Sequence, residues 1–283
     1  MHITPDILDH ITRSLTEDIG PDLSAGDLTT NAVIGPDQVY KARIFAKEPI
    51  YVAGIDVAKT VFQILDKDFE ITPTVKDGDL VDSGQTILTL SGAARTILTG
   101  ERVALNYLQH LSGIATLTAK YAAEVKNTKT RVLDTRKTIP GLRLLEKYAV
   151  TCGGGMNHRI GLYDKIMIKD NHVLAAGNLG NAIAACQANN PQNMKIQAEC
   201  DTLEQVKAAL DLGLTDLLLD NMTIDQLSQA VSLNKGRATL EASGGVTLKT
   251  IGAIAQTGVD FISVGRLTQS APAVDLSLEI IEN

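Results

Sequence analysis

Cysteine is scarce in this chain, and its spacing predicts neither a disulfide framework nor a metal site. The 283 residues contain three cysteines, Cys152, Cys186 and Cys200, and no two of them form a C-x-x-C pair. A reducing compartment, the cytoplasm, is therefore the expected location. A zinc site built on Cys152 and His158 lacks further ligands at useful spacing.

Signals for export or membrane insertion are also missing. The first six residues are polar and lack the apolar core of a signal peptide. Residues 171–194 carry no Asp, Glu, Lys or Arg, but six asparagines interrupt them. Because a hydrocarbon layer does not accept so many amides, we expect no membrane partner.

Positive charge is in deficit. Lysine and arginine number 26 against 33 aspartates and glutamates, so the formal net charge is −7. A nucleic-acid-binding protein ordinarily carries the opposite sign, and we expect no nucleic-acid partner. A small anionic ligand needs only a local basic pocket. At 44% hydrophobic residues, the chain can bury a core large enough for one barrel or two modest domains.

The first hundred residues predict an α/β sandwich domain over residues 1–112. Pro5–Asp18 has apolar residues at helical spacing, and short β-rich runs follow between Gly, Asp and Pro turns. From Gly100 to Lys126 the pattern is helical, with a division expected at Ser112-Gly113. Residues 272–283 are expected to pack back on this domain. The predicted strands are Val39–Ala46, Ile50–Ala53, Phe69–Val75 and Thr86–Leu90.

From residue 113 to 271 the sequence predicts an α/β barrel. After residue 130, short apolar runs alternate with amphipathic helices, which is typical of a parallel sheet with right-handed crossovers. No G-x-G-x-x-G follows any run, which disfavours a dinucleotide-binding sheet. The predicted strands are Arg131–Leu133, Ile166–Ile168, Lys195–Ala198, Asp216–Leu219, Ala238–Leu240 and Phe261–Val264.

Polar residues follow all six predicted barrel strands, where such folds place their chemistry. Basic side chains suited to carboxylates and phosphates come first, two acids suited to Mg²⁺ come next, and a glycine-rich phosphate cradle comes last. We therefore predict a multi-carboxylate substrate beside a phosphorylated substrate that binds Mg²⁺. The basic residues are Arg136, Lys137 and Lys169, with His158 and Arg159 expected within a few loops of them; the acids are Glu199 and Asp220; the cradle is Ser243, Gly244, Gly245 and Gly265.

Structural roles are open alternatives for several polar residues. Asp134 beside Arg136 fits an ion pair, and His158 fits a hydrogen-bonded loop residue. Lys147 and Lys165 are expected to lie in solvent.

At these residues the chain resembles the nicotinate-nucleotide pyrophosphorylases, also called quinolinate phosphoribosyltransferases. The resemblance covers nearly the whole chain and implies a homodimer with an N-terminal sandwich and a C-terminal barrel, usually of seven strands. Its most specific blocks are Gly100-Glu101-Arg102, Asp134-Thr135-Arg136-Lys137-Thr138, Asn157-His158-Arg159, Ile168-Lys169-Asp170-Asn171-His172, Leu219-Asp220-Asn221 and Glu241-Ala242-Ser243-Gly244-Gly245.

The resemblance also implies the reaction and the residue roles. Quinolinate and phosphoribosyl pyrophosphate would give nicotinate mononucleotide, pyrophosphate and CO₂ in NAD biosynthesis. The partner subunit's Arg102 would bind quinolinate together with Arg136, His158, Arg159 and Lys169. Phosphoribosyl pyrophosphate and its Mg²⁺ would be held by Lys137, Glu199, Asp220, Ser243, Gly244, Gly245 and Gly265, with Lys137, Lys169, Glu199 and Asp220 as the catalytic set.

Two positions depart from the family pattern. Gln197 stands where an acid is common, two places before Glu199, and Gln269 replaces a histidine associated with the phosphate end of the site. Gln269 can donate a hydrogen bond but carries no charge, so weaker pyrophosphate binding is expected. The alternatives are a related phosphoribosyltransferase with another acceptor, of the molybdenum-transport-operon type, and a non-catalytic binding or carrier protein.

Overall fold

The computed structural model describes residues 1–281. Its contacts group the chain into two compact units. The first unit contains Met1–Leu117, Pro140–Gly154 and the chain from Ser270 onward, and the second contains Thr118–Ile139 and Gly155–Gln269. This grouping differs from the division expected after residue 112, chiefly because the segment Pro140–Gly154 belongs to the first unit.

Twelve strands and eleven α-helices are assigned in the described residues. Up to residue 125 they are α1 (Pro5–Ile19), α2 (Leu28–Val33), β1 (Val39–Ala46), β2 (Ile50–Tyr51), α3 (Ile55–Leu65), β3 (Glu70–Pro73), β4 (Leu80–Val81), β5 (Thr86–Ala93) and α4 (Ala94–Val125). Beyond it they are β6 (Arg131–Leu133), α5 (Arg143–Cys152), β7 (Ile166–Ile168), α6 (Asp170–Ala176), α7 (Leu179–Ala188), β8 (Ile196–Cys200), α8 (Leu203–Asp211), β9 (Asp216–Asp220), α9 (Ile224–Asn234), β10 (Thr239–Ser243), α10 (Ile251–Gln256), β11 (Phe261–Ser263), α11 (Arg266–Gln269) and β12 (Leu276–Ile281).

An antiparallel sheet in the order β12-β1-β5-β3 forms the centre of the first unit, with β2 and β4 paired separately. Helix α1 begins at the N-cap Thr4, has Pro5 in its first turn, and buries Ile7, Ile11 and Leu15 along one face. The predicted strand Val39–Ala46 is confirmed residue for residue. The last strand, β12, pairs with β1 from Lys41↔Ile281 to Ala46↔Leu276.

Helix α4 is continuous, so the division expected at Ser112-Gly113 is wrong. Ser112 is buried and accepts the main-chain N–H of Ala53 through its hydroxyl oxygen at 3.0 Å. A Cβ on Gly113 would overlap the carbonyl of Pro272 and lie 3.1 Å from its carbon. The small residues at this step therefore allow close backbone approach rather than a break in the helix.

A parallel sheet in the order β6-β11-β10-β9-β8-β7 forms the core of the second unit. Its strands are largely buried, as expected of a parallel sheet covered by helices. Capping boxes begin α8 at Thr202 and α9 at Thr223. The family resemblance implied a barrel of seven strands. In the described residues this parallel sheet has six, and Met156 forms an isolated parallel bridge to Leu133 of β6.

Several local expectations need correction. Lys147, expected in solvent, is 2% exposed, and Lys165 forms a salt bridge to Asp216 at 2.7 Å. The asparagine-rich stretch after residue 170 contains α6 and α7, which were not predicted; the side chain of Asn178 caps α7. Within residues 1–281, no helix combines the length and apolar character required to cross a bilayer.

Candidate active site

The predicted site residues of the second unit lie at the carboxyl ends of β6 to β11, except His158 and Arg159, which lie in the loop between α5 and β7. Strands β8, β9 and β10 run one to three residues further than predicted. Glu199 is therefore the next-to-last residue of β8, and Asp220 and Ser243 are the last residues of β9 and β10, rather than lying beyond these strands. Because parallel strands end at one edge, these side chains share that edge.

Arg136, a few residues beyond β6, and Arg159, in the loop before β7, are neighbouring cations. Burial, and then the neighbouring charge of Arg136, lower the pKa of the Arg159 guanidinium. Arg159 donates from Nη1 to the carbonyl of Lys165 at 2.9 Å. The buried Nε of Arg136 has no hydrogen-bond partner among the described residues. A buried donor beside a second cation is an environment that fits a carboxylate ligand.

Two aspartates shape the loop that carries His158 and Arg159. Asp134 is fully buried and accepts the main-chain N–H of His158 at 2.8 Å. Asp164 accepts the N–H groups of Ile160 and Gly161, at 2.7 Å and 2.9 Å. Although its burial works the other way, these bonds lower the pKa of the Asp164 carboxyl, so it is ionised at neutral pH. The loop is thus fixed from both ends.

Three carboxylates converge at the ends of β8 and β9. One oxygen each of Glu199, Asp201 and Asp220 lies within 4.8 Å of the others. Lys169 Nζ contacts Glu199 Oε2 at 3.1 Å. A set of carboxylate oxygens fits Mg²⁺, which keeps waters and bridges to phosphate. Asp201 was not among the residues predicted from the sequence; its position two residues after Glu199, directly beyond the end of β8, was the available signal.

Glycines after β10 leave room for close backbone approach. Gly244 and Gly245 have φ of +97° and +59°. A Cβ on Gly244 would lie 2.9 Å from the main-chain nitrogen of Asn221, and Asn221 in turn donates to Asp220 Oδ2 at 2.6 Å. The Asn221 N–H also bonds the carbonyl of Ser243 at 2.9 Å. This turn therefore links the predicted phosphate cradle to the acidic cluster.

Lys137 and Gly265 are also brought together. A Cβ on Gly265 would lie 2.8 Å from Lys137 Cδ, so the glycine leaves the lysine side chain its space. Buried Thr268 donates from its hydroxyl to the carbonyl of Lys137 at 2.7 Å. Gln269, the residue in place of the usual histidine, lies beside Gly265, whose carbonyl accepts its main-chain N–H at 3.0 Å.

Glu241 and Gln197 are buried within the parallel sheet of the second unit, and the sequence had assigned neither residue a function. Gln197 is fully buried; its amide nitrogen donates to Glu241 Oε2 at 2.8 Å and to Asp216 Oδ1 at 3.0 Å. Glu241 Oε2 is also 3.1 Å from His158 Nε2. Burial favours the neutral form of Glu241, but hydrogen bonds from His158, Ser263 and Gln197 hold the pKa of its carboxyl below the ordinary value.

Arg102, predicted to act from a partner subunit, is an exposed residue of α4 in the first unit. Its role stays a prediction. The other predicted site residues all belong to the second unit.

Known proteins resemble the chain over its whole length. The family described as quinolinate phosphoribosyl transferase matches residues 27–112 with its N-terminal domain and 114–279 with its C-terminal domain. A probable nicotinate-nucleotide pyrophosphorylase (carboxylating) of Synechocystis is 43% identical over 272 residues, 95% of this chain and 90% of that protein. The Bacillus subtilis protein of the same description is 41% identical, covering 92% and 89% of the two chains.

A solved structure supports the same assignment. The crystal structure of NadC from Streptococcus pyogenes superposes with a TM-score of 0.93 at 40% identity and covers 100% of both chains. The two-domain α/β architecture expected from the sequence is thereby confirmed, as is the resemblance. The chain belongs to the quinolinate phosphoribosyltransferase family.

Proposed function

We propose that this protein transfers the phosphoribosyl group of phosphoribosyl pyrophosphate to the ring nitrogen of quinolinate, yielding nicotinate mononucleotide, pyrophosphate and CO₂. The observation that carries the proposal is that one unit, built on a parallel sheet, contains both the neighbouring cations Arg136 and Arg159 and the acidic cluster Glu199, Asp201 and Asp220. One group suits a dicarboxylate, and the other suits a metal-bound diphosphate. The family membership of the chain agrees with this pairing.

Quinolinate binds on the cationic side in this proposal. Its two carboxylates lie among Arg136, His158, Arg159 and Lys169, and Arg102 of the partner subunit completes the set, so the active form is a homodimer. Guanidinium groups bind carboxylates through parallel hydrogen bonds, which fixes both position and orientation. Holding the ring in this way keeps its nitrogen aligned for attack on the ribose.

Phosphoribosyl pyrophosphate binds on the acidic and glycine-rich side. Glu199 and Asp220 hold Mg²⁺, and Asp201 adds a third carboxylate to this set. When bound, the metal neutralises charge on the departing diphosphate. Lys137, which follows β6, adds a positive charge. The main-chain N–H groups of the Ser243–Gly245 turn and of Gly265 approach the phosphates, since no side chain intervenes at the glycines.

The reaction needs no covalent enzyme intermediate. The C1–oxygen bond of the ribose breaks with its electron pair going to pyrophosphate, and the quinolinate nitrogen forms the new bond to C1. The cationic ring then accepts the electrons of the bond to the 2-carboxylate, which leaves as CO₂. Lys169 donates a proton to the resulting ring carbon. Its Nζ lies 3.1 Å from Glu199 Oε2, and this contact holds the side chain at the site.

The proposal also includes a cytoplasmic location, supported by the free thiols of Cys152, Cys186 and Cys200.

A product assay tests the proposed function. Purified protein receives quinolinate, phosphoribosyl pyrophosphate and Mg²⁺, and nicotinate mononucleotide and CO₂ are measured. Parallel reactions contain nicotinate in place of quinolinate, or a chelator in place of Mg²⁺. Product from quinolinate alone, and only with metal, is the expected result. A folded protein that makes no product from quinolinate contradicts the proposal and directs the search to another acceptor.

A further inference from the structure

The hydrogen bonds around His158 specify one form of its ring. Nδ1 of His158 accepts the main-chain N–H of Arg159 at 2.7 Å, so this nitrogen carries a lone pair and no proton. Nε2 faces Glu241 Oε2 at 3.1 Å. A neutral imidazole protonated on one nitrogen must then carry its proton on Nε2 and donate it to Glu241. Both ring nitrogens are thus engaged within the protein.

Glu241 is itself held in place. It is 2% exposed and lies on β10, two residues before Ser243 and on the same face of the strand. The amide of Gln197 donates to the same oxygen that His158 contacts, while the second N–H of that amide bonds Asp216. Asp216 forms a salt bridge to Lys165, whose carbonyl accepts Arg159 Nη1. The chain of contacts therefore begins and ends at the His158–Arg159 step.

We propose that Glu241 is a positioning residue of this reaction: it holds His158 as the neutral Nε2–H tautomer, whose Nδ1 in turn fixes the backbone of Arg159 and the direction of its guanidinium. Gln197 supports this arrangement because an uncharged amide donates to Glu241 and Asp216 at once. An acid at this position would have no N–H groups to give and would add a third negative charge.

The first test is spectroscopic and needs no substrate. Nitrogen-15 NMR of the imidazoles distinguishes protonated from unprotonated ring nitrogens. The chain has five histidines, so the His158 signals can be assigned by their loss in His158→Gln. At pH 7.5 we expect a protonated Nε2 and an unprotonated Nδ1. An Nδ1–H tautomer or a doubly protonated ring in the wild-type protein overturns the proposal, even if no variant folds.

The second test uses Glu241→Gln, which keeps the shape of the side chain and removes its charge. We expect His158 to populate both tautomers, and KM for quinolinate to rise about tenfold while KM for phosphoribosyl pyrophosphate stays within twofold, since charge-assisted hydrogen bonds are about twice as strong as neutral ones. Unchanged tautomer and unchanged KM values would reduce Glu241 to a packing role and refute the proposal.

A matched control separates positioning from the loss of any buried carboxylate. Glu146 is also fully buried and pairs with a histidine, His110, at 2.9 Å in the first unit. Glu146→Gln should change the signals of His110 and leave the tautomer of His158 intact. A shift of His158 equal to that in Glu241→Gln would contradict the specific pairing. The kinetic arm rests on the proposed function, but the tautomer does not, so failure of one is distinguishable from failure of the other.

Discussion

Replacing Gly244 by alanine is the sharpest test of the turn that joins the phosphate cradle to the acidic cluster. The residue has φ +97°, a conformation that costs an L-residue about 1–2 kcal/mol. The new Cβ would also lie 2.7 Å from Cγ and 2.9 Å from the main-chain nitrogen of Asn221, so Asn221 must move. Overpacking of this kind costs about 1–3 kcal/mol. We therefore expect Gly244→Ala to lose roughly 2–5 kcal/mol of unfolding free energy.

Gly213 provides a control in which only the backbone term operates. It has φ +79°, and a Cβ there meets nothing within 4 Å. Gly213→Ala should lose about 1–2 kcal/mol. The free energies are measured by urea denaturation followed by circular dichroism. Moving Asn221 also disturbs its bond to Asp220, so KM for phosphoribosyl pyrophosphate should rise in Gly244→Ala and not in Gly213→Ala.

Equal stability of the two variants would show that Asn221 gives way without cost and would refute the steric part of the reasoning. An unchanged KM in Gly244→Ala would refute the link between this turn and the phosphate-binding side.

Three further predictions concern the acid cluster, the proton donor and the thiols. Lys169→Ala should lower kcat by about 10²–10⁴-fold, as expected for loss of a proton donor; full turnover at saturating substrates would remove it from that role. Asp201→Asn should raise the Mg²⁺ concentration for half-maximal activity several-fold, and an unchanged metal titration would exclude Asp201 from the site. Burial raises the pKa of Cys200 to about 12 and that of Cys152 to about 11, so neither thiol should be alkylated rapidly by iodoacetamide at pH 8 before unfolding; rapid modification of the native protein, seen by mass spectrometry, would contradict this.

Local patterns predicted the strands well where burial alone decides the conformation. The runs Arg131–Leu133 and Ile166–Ile168 were predicted to the residue, since short apolar segments bounded by turns have few alternatives. The break at Gly113 was wrong because glycine has two uses, and only the tertiary contact with Pro272 shows which one applies. Sequence pattern also missed α6 and α7, whose asparagines indicate a loop when read locally.

In the candidate site, too, local sequence predicted some residues, while others became evident only from tertiary contacts. Residues at the strand ends, such as Lys169 and Asp220, could be predicted because a strand end specifies its own edge of the sheet. The contact between His158 and Glu241 could not, since 83 residues separate them and nothing in either local sequence indicates the other. Likewise, the acceptors of the two Gln197 N–H groups, Asp216 and Glu241, can be identified only once β8, β9 and β10 are placed in the sheet.

The pairing of β12 with β1 has a consequence for synthesis of the chain. Strand β1 leaves the ribosome early, yet its partner on one side consists of the last described residues, Leu276–Ile281. At about 5–20 residues per second, the interval between the two strands is on the order of ten to fifty seconds. During that time one side of β1 is an unpaired sheet edge, which is a template for wrong pairing between nascent chains. We expect truncation before Leu276 to leave the edge open permanently, which would make such fragments prone to aggregation.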